Sequence, residues 1–491
     1  QACRLPYNVL DSGGQVVAGQ ANINQQGTTT LIQQQSQRPI QFEISGPQAR
    51  YRQGQSSQRQ IGTRDLGVIL IPTESPTVSS PTRFLHAHAM HPRGDLALEL
   101  VWAQLASQGA HNMEATLGWC YLTEELADSA QAILASLRER LPHVAWVGAV
   151  GAGVLATGVE YIDEPALAVM LCNMPMSDFR VFHGRQPLAP NHPLAAREGM
   201  WRAHTAMVHA DGHSPDLPEL IQELADRTDT GYLFGGVSAG QSQSLHMAMD
   251  PHAQVHGEPD APPPSGIWHG GLSGVAFNDH VRVVSRVTQG CEPIGPRREV
   301  TAAHRNVVYE LDGLPALNCL LKDLGVPVTV SESDWHRDAL PKVRATLVGL
   351  SDAGSDLLSH GQHFGADTRV RHLVGLDPSR YGVALSDLVE PGMQLAFCQR
   401  HVAAARQDLV RICAEIREEF DPVEHPGSAP VGAVYVSCTG RGGPHFGAPN
   451  AEMEIIAHAL GDIPLVGFFA SGEIARHHLY GYTGVLTVFG G

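Results

Sequence analysis

The apolar positions in the first half of the chain alternate between short continuous runs and longer stretches with helical spacing. Brief apolar, β-rich runs are typical of strands, and they occur here at 68–71, 84–90, 116–122, 144–150 and 166–171. Helical spacing predicts a helix over 95–108 and another after Thr123. The side chains expected to face the core in these two helices are Leu96, Leu100, Ala103 and Leu105, and then Leu126, Ala130, Ile133, Leu134 and Leu137.

The same alternation continues to the C-terminus. It predicts helices over 315–324 and 399–420 and strands near 344–350 and 393–397. The segment 431–474 then combines a strand, a Gly-Arg-Gly turn, a helix that begins at Asn450, and a second strand that ends in Ser-Gly-Glu. Because strands and helices alternate throughout, the sequence predicts an α/β (α+β) fold of mixed β-sheets layered with helices.

A glycine pattern recurs three times, each time at the end of an apolar run: Gly148 to Gly153, Gly235 to Gly240 and Gly467 to Gly472. A strand that ends in small residues lets the backbone approach either a ligand or a neighbouring strand. The two outer copies favour a duplicated architecture with a ligand crevice between two related halves. The glycines taken as candidate ligand-binding positions are Gly148, Gly153, Gly236, Gly467 and Gly472.

A second group of candidate residues follows the last two strands, which end at Cys438 and just before Glu473. Arg441, beside Gly442, can bind a ligand carboxylate through its guanidinium fork. Glu473 can take an amino group, or it can pair with Arg441 in a purely structural bridge. Cys438 is either a reactive thiol, with its pKa lowered by Arg441, or a packed structural one.

These motifs resemble those of the FIST sensory domain of prokaryotic signalling proteins. The resemblance rests on SCTGRG (437–442), PLVGFFASGEI (464–474) and YLFGGVSAG (232–240), and it extends over roughly 63–491. It implies a FIST-N-like domain over 63–290 and a FIST-C-like domain over 291–491, with 300–317 at the joint. It further implies a sensory protein for signal transduction that binds a small, amino-acid-like molecule and reports ligand occupancy to a signalling partner protein in trans.

Two alternatives stay open beside ligand sensing. Some FIST proteins are reported as haem-binding sensors of nitric oxide, so the resemblance allows haem as an alternative to the absence of a cofactor. One axial histidine would suffice, and the pairs are His86 with His88, His360 with His363, and His477 with His478. The second alternative is a hydrolase that uses Ser238 of a G-x-S-x-G motif or Cys438, although His269-Gly270-Gly271 follows Ser238, whereas the oxyanion loop of such an enzyme precedes its serine.

Composition narrows the classes of partner. The net charge of −17 argues against nucleic acid or an anionic membrane surface, and no apolar run approaches the ~18 to 20 residues of a membrane span. The eight cysteines contain no C-x-x-C pair, which favours reduced thiols and a cytoplasmic location.

Residues 1–62 differ from the rest of the chain, because they are rich in Gln, Ser and Thr and poor in acidic residues. This composition predicts a disordered arm. Residues 13–21 resemble the N-termini of two-partner-secretion adhesins, with a fusion junction or chance as the alternative.

Overall fold

A computed structural model describes the side chains of residues 81–191, 200–240, 244–252, 265–327, 335–353, 364, 368–425 and 428–491, together with the backbone of strands nearer the N-terminus. The chain divides into two compact units, Gln1–Pro81 and Thr82–Gly491.

In the described backbone of the first unit, four strands form an antiparallel sheet in sequence order: Cys3–Leu10, Val16–Ile23, Thr29–Gln33 and Ile40–Phe42. The prediction of a disordered arm did not include these strands. An antiparallel ladder satisfies backbone N–H and C=O groups whatever the polarity of the side chains, so composition alone does not exclude it. The strand expected at 68–71 lies outside the described residues.

Over its described ranges, the second unit contains three six-stranded sheets with one common strand order. The first sheet runs Ile267–Trp268, His246–Met249, Ala145–Gly151, Leu117–Thr123, Ala166–Cys172, Phe84–Met90. The second runs His478–Tyr480, Gly472–Arg476, Leu233–Val237, Thr205–Ala210, Leu272–Phe277, Phe179–Phe182. The third runs Val159–Ile162, Gly153–Ala156, Leu465–Ala470, Pro430–Cys438, Thr483–Gly490, Val283–Gln289. In each sheet the third and fourth strands are parallel and the other pairs are antiparallel.

Each parallel pair is joined through a crossover helix, as parallel neighbours require. The helices are Ala130–Arg140, Leu217–Ala225 and Ala451–Leu460. After each parallel pair the chain leaves its own sheet and adds a two-stranded hairpin to another one. We call the segments that supply the three parallel pairs the first, second and third repeats. The first repeat adds its hairpin to the third sheet, the third repeat to the second sheet, and the second repeat to the first sheet, so the exchange is cyclic.

The inner faces of the three sheets share one hydrophobic core, which includes Trp119, Met207, Phe234, Phe468 and Phe489. Helices cover the outer faces, among them Gly94–Ser107 on the first sheet and Val402–Glu419 on the third. The mixed α/β class is therefore confirmed, and both halves contain the related strand–helix–strand arrangement.

The recurring glycines explain how the parallel strands approach so closely. A Cβ on Gly148, Gly235 or Gly467 would lie 1.8, 1.9 or 1.7 Å from the carbonyl oxygen of the neighbouring parallel strand. Real Cβ atoms do not come so near a backbone oxygen, so these positions exclude every side chain.

The three corners that follow these glycines meet and are joined by a cycle of backbone hydrogen bonds. Ala152 donates to the Phe469 carbonyl at 3.0 Å. Ala239 donates to the Val150 carbonyl at 3.0 Å, and Ser471 donates to the Val237 carbonyl at 3.1 Å. Each hydrogen bond joins equivalent positions of two different repeats, so the corners are interlocked.

The third repeat contains an insertion between its first two strands, Val283–Gln289 and Pro430–Cys438. The strand order of the inserted sheet, over the described residues, is Cys291–Pro293, Gln394–Arg400, Arg298–His304, Val307–Leu311, Gly382–Leu385, Arg369–Asp377, Leu347–Ser351. Leu347–Ser351 also pairs with Gln394–Arg400, which closes six of these strands into a ring. The helices Ala316–Asp323 and Leu340–Arg344 pack into its core.

Most predicted elements agree with the structure to within a few residues, but the buried face of the first helix was wrong. Ala97, Leu98, Val101 and Leu105 are buried, whereas Leu96 and Leu100 are 38% and 48% exposed. The true stripe includes a small residue, Ala97, which lets the helix lie close to the sheet. Of the predicted positions, Leu105 is therefore confirmed, whereas the rest of the predicted stripe is shifted around the helix.

We expect Gly467→Ala to destabilise the protein by about 3 kcal/mol or more, at the upper end of the cost of overpacking, because its methyl group would meet a backbone oxygen. Gly184→Ala is the matched control, since a Cβ there has no neighbour within 4 Å. Chemical denaturation of both variants measures the difference. Equal stabilities would contradict the close-packing explanation.

Candidate functional site

A cleft of about 580 Å³ lies where the third glycine corner meets the inserted sheet. One wall is formed by the corner residues Cys438 to Gly440 and by Ser471 and Gly472. The hairpin strand His478–Tyr480 and the residues next to it form the floor. The opposite wall belongs to the inserted sheet. Concave pockets with converging polar groups are the usual place for small ligands.

Two arginines on the strand Arg369–Asp377 face this cleft, two residues apart. Arg369 donates both terminal nitrogens to Asp352, at 2.7 and 3.2 Å. Arg371 donates to Asp387 at 2.7 Å and to the Leu479 carbonyl at 2.9 Å. The cleft therefore holds two guanidinium groups, each with a carboxylate partner.

Aromatic and imidazole groups complete the lining. The Tyr482 hydroxyl and His372 Nε2 are 2.9 Å apart, and the Arg400 guanidinium lies 5.6 Å from the centre of the Tyr482 ring. Burial, followed by the proximity of His477 and Arg369, lowers the pKa of His478 to about 4. The His478 imidazole is therefore mostly neutral at neutral pH.

Arg441 does not line the cleft, because its side chain is 1% exposed. Its Nε lies 3.4 Å from Oε1 of the fully buried Glu452, and its Nη2 donates to the Thr288 hydroxyl at 3.1 Å. The carboxylate partner of Arg441 is therefore Glu452, and the expected pairing with Glu473 is wrong. Arg441 is therefore tied to the helix Ala451–Leu460, which contains Glu452, and the structural alternative of an Arg441–Glu473 bridge is wrong as well.

Glu473 is also fully buried, directly behind the cleft wall. Its Oε2 accepts hydrogen bonds from the Thr483 hydroxyl at 2.8 Å and the Thr483 amide at 3.2 Å. Burial raises the pKa of Glu473 to about 8, so the carboxyl is mostly protonated at neutral pH.

Cys438 lines the cleft and is a direct neighbour of the buried Glu473. Burial, with the neighbouring Glu473, raises the pKa of Cys438 to about 12. The expectation that Arg441 would lower this pKa was wrong, since desolvation dominates at a residue only 7% exposed.

The predicted glycines divide between packing and the cleft. Gly472 lines the cleft, whereas Gly148 and Gly467 serve the close strand approach. The remaining three also lie against other atoms: a Cβ on Gly153, Gly236 or Gly442 would come within 2.4 Å of Tyr161 O, 2.7 Å of Val436 Cγ1 or 1.9 Å of Phe469 Cε1. Their role in ligand binding stays a prediction, and of the predicted set the cleft brings together Cys438 and Gly472.

Ser238 is 4% exposed and hydrogen-bonds the Ala210 carbonyl and the Ser244 hydroxyl. Among the described residues, no hydrogen bond joins a histidine to Ser238 or to Cys438. Over the described residues, neither candidate nucleophile is therefore paired with a histidine that could act as its general base.

The arginines and aspartates of the cleft were missed at the sequence level. The pattern Arg369-Val370-Arg371 was the available signal, because residues two apart on a strand face the same side. Asp387 and Asp352 lie just after the two strands that flank this one, Gly382–Leu385 and Leu347–Ser351, and the antiparallel pairing brings them beside the arginines.

The described ranges contain no group of three or more His, Cys, Asp or Glu side chains placed to hold a metal ion. No helix among them has the length and apolar character needed to cross a membrane.

Comparison with known families matches residues 116–314 to the FIST N domain and residues 316–476 to the FIST C domain. The junction falls within 300–317, the segment predicted to join the two halves. The predicted bounds 63–290 and 291–491, and the adhesin-like match of 13–21, stay predictions.

Similar proteins occur in mycobacteria. An uncharacterized protein found in two strains of Mycobacterium tuberculosis is 30% identical over 381 residues, which cover 74% of this chain and 88% of the relative. An uncharacterized protein of Mycobacterium bovis is 26% identical over 385 residues, which cover 74% of this chain and 87% of the relative.

Glu473→Gln should change how stability depends on pH. Between the ordinary pKa of 4.5 and the folded value of about 8, the unfolded chain has released the Glu473 proton while the folded chain still binds it. The wild type therefore loses stability relative to the variant as pH rises through this window, and the difference is constant above it. Urea denaturation at pH 5, 6.5 and 8 measures this, with the exposed Glu299→Gln as control. A pH-independent difference would contradict the raised pKa.

Arg441→Met should destabilise the protein by about 3 to 5 kcal/mol, because it leaves the Glu452 carboxylate buried without its cation. Adding Glu452→Gln should restore part of that loss, since the uncompensated charge is then removed. Denaturation midpoints of the single and double variants measure both effects. A double variant less stable than Arg441→Met would argue against this pairing.

Proposed function

The chain belongs to the family of proteins that combine a FIST N domain with a FIST C domain, and from that premise we propose that it is a sensory protein that binds a small ligand in the cleft and reports its occupancy to a signalling partner in trans. FIST domains are associated with sensory signal transduction and small-ligand binding. For this chain, the observation that carries the proposal is the cleft itself, where two guanidinium groups converge with a thiol, a tyrosine and histidines.

The position of the cleft supports a reporting role. One wall belongs to the interlocked corners and the other to the inserted sheet, so a bound ligand contacts both bodies at once. A ligand shifts a conformational equilibrium only through different affinities for the two states. A ligand that touches both walls acquires such a difference whenever the inserted sheet changes its distance from the corner.

An amino-acid-like ligand fits the pairs of opposite charge at Arg369 with Asp352 and Arg371 with Asp387. The guanidinium groups would take its carboxylate and Asp387 its ammonium group. The identity of the partner and the cytoplasmic location stay predictions. Haem also stays a prediction: His372, His477 and His478 line the cleft, and one free imidazole would be enough to ligate it.

Ser386→Trp tests the cleft directly, because Ser386 is exposed in its wall and an indole there would fill the space. Native mass spectrometry and thermal shifts with a panel of free amino acids should show a ligand in the wild type that is lost in this variant. Ser379→Trp is the control, an exposed serine of the same sheet outside the cleft.

Retention of the ligand by Ser386→Trp would overturn this placement of the site. An absorption spectrum of the same samples separates the alternatives. A Soret band lost only in Ser386→Trp would assign the cleft to haem instead of an amino-acid-like molecule.

A further inference from the structure

The two ion pairs in the cleft differ in how their partners are buried. The Arg369 side chain is 10% exposed, whereas that of Asp352 is 57% exposed. For Arg371 and Asp387 the values are 16% and 30%. Asp352 therefore reaches from the solvent to neutralise a guanidinium that lies in the cleft wall.

A second bidentate pair in the same inserted sheet shows what a structural bridge looks like here. Arg298 donates to both oxygens of Asp323 at 2.6 and 2.7 Å, and the two side chains are 7% and 5% exposed. Asp323 has no route into water without opening the core. Asp352 makes the same fork, but its carboxylate can turn into solvent at little desolvation cost.

Arg369 also differs from its neighbour in what holds it. Arg371 is fixed by the Leu479 and Val370 carbonyls as well as by Asp387. Among the described residues, the hydrogen bonds of Arg369 go to Asp352. A largely buried guanidinium needs an anionic partner, so if Asp352 leaves, another anion must take its place.

We propose that Asp352 is an internal competitor that occupies the Arg369 fork until a ligand with anionic oxygens, a carboxylate or a phosphate, displaces it. The inference rests on the proposed function and specifies the ligand class and the control of affinity at the same site. Displacement makes binding an exchange of one anion for another. The affinity of the free fork is thereby reduced by a residue of the protein itself.

Asp352→Asn is the primary test, because it removes the competing charge and keeps the shape of the side chain. Isothermal titration at constant ionic strength, with succinate and with inorganic phosphate as probes, should show binding about tenfold tighter than in the wild type, the scale of one charge-assisted hydrogen bond. The neutral analogue succinamide should show no gain. The stronger of the two anion responses assigns the fork to carboxylate or to phosphate.

Asp377→Asn is the matched control, an aspartate of the same sheet that bonds Ser379 and Arg380 instead of the cleft arginines. It changes the net charge equally and should leave the affinity unchanged. Arg369→Gln should abolish anion binding in both the wild-type and the Asp352→Asn background. Arg369→Lys, which keeps the charge without the fork, should weaken it.

Equal gains in Asp352→Asn and Asp377→Asn would overturn the proposal, because net charge alone would then explain them. Anion binding that survives Arg369→Gln, or that no variant shows, would overturn it as well. In those cases a ligand still lost in Ser386→Trp would leave the sensory function standing. A wild-type protein that binds no ligand removed by Ser386→Trp would count against the proposed function separately.

Discussion

The close approach of parallel strands at three glycines is the constraint on which the second unit depends. At Gly148, Gly235 and Gly467 any side chain would meet a carbonyl oxygen of the adjacent strand, at 1.7 to 1.9 Å. After each of these glycines the chain turns at a corner and joins a different sheet. The corners are joined to one another by a closed cycle of backbone hydrogen bonds. Each sheet contains strands from two repeats, so no sheet is complete without a second repeat.

This exchange of strands also decides where a site can form. The insertion over 291–400 has a separate hydrophobic core and lies beside the third corner. The cleft is the space left between an interlocked body and an inserted one. Its chemistry comes from both: Cys438 and Gly472 from the corner, and Arg369 and Arg371 from the insertion.

Behind the cleft, burial decides the behaviour of the ionisable groups. Arg441 and Glu452 neutralise each other where water does not reach, while burial keeps Glu473 protonated near neutral pH and keeps Cys438 as a thiol. Removing either Arg441 or Glu452 alone would leave an uncompensated charge in the core. Arg369 and Asp352 are also an arginine paired with a carboxylate, but they lie at the surface of the cleft, where water lowers the cost of exchanging partners. Depth, not residue type, separates the structural pair from the candidate binding pair.

The sequence by itself determined the strands and helices, the α/β class and the family, because hydrophobic periodicity and glycine corners are local properties of the chain. It identified the three recurring glycines but not whether they approach a ligand or another strand, since that depends on the neighbour. It selected Cys438, Arg441 and Glu473 because they follow strand ends, but could not give their depth. Only the tertiary structure decided that Arg441 pairs with Glu452 and that Asp352 reaches Arg369. Such pairings depend on which elements lie side by side and on how deeply each side chain is buried, and neither is a local property of the sequence.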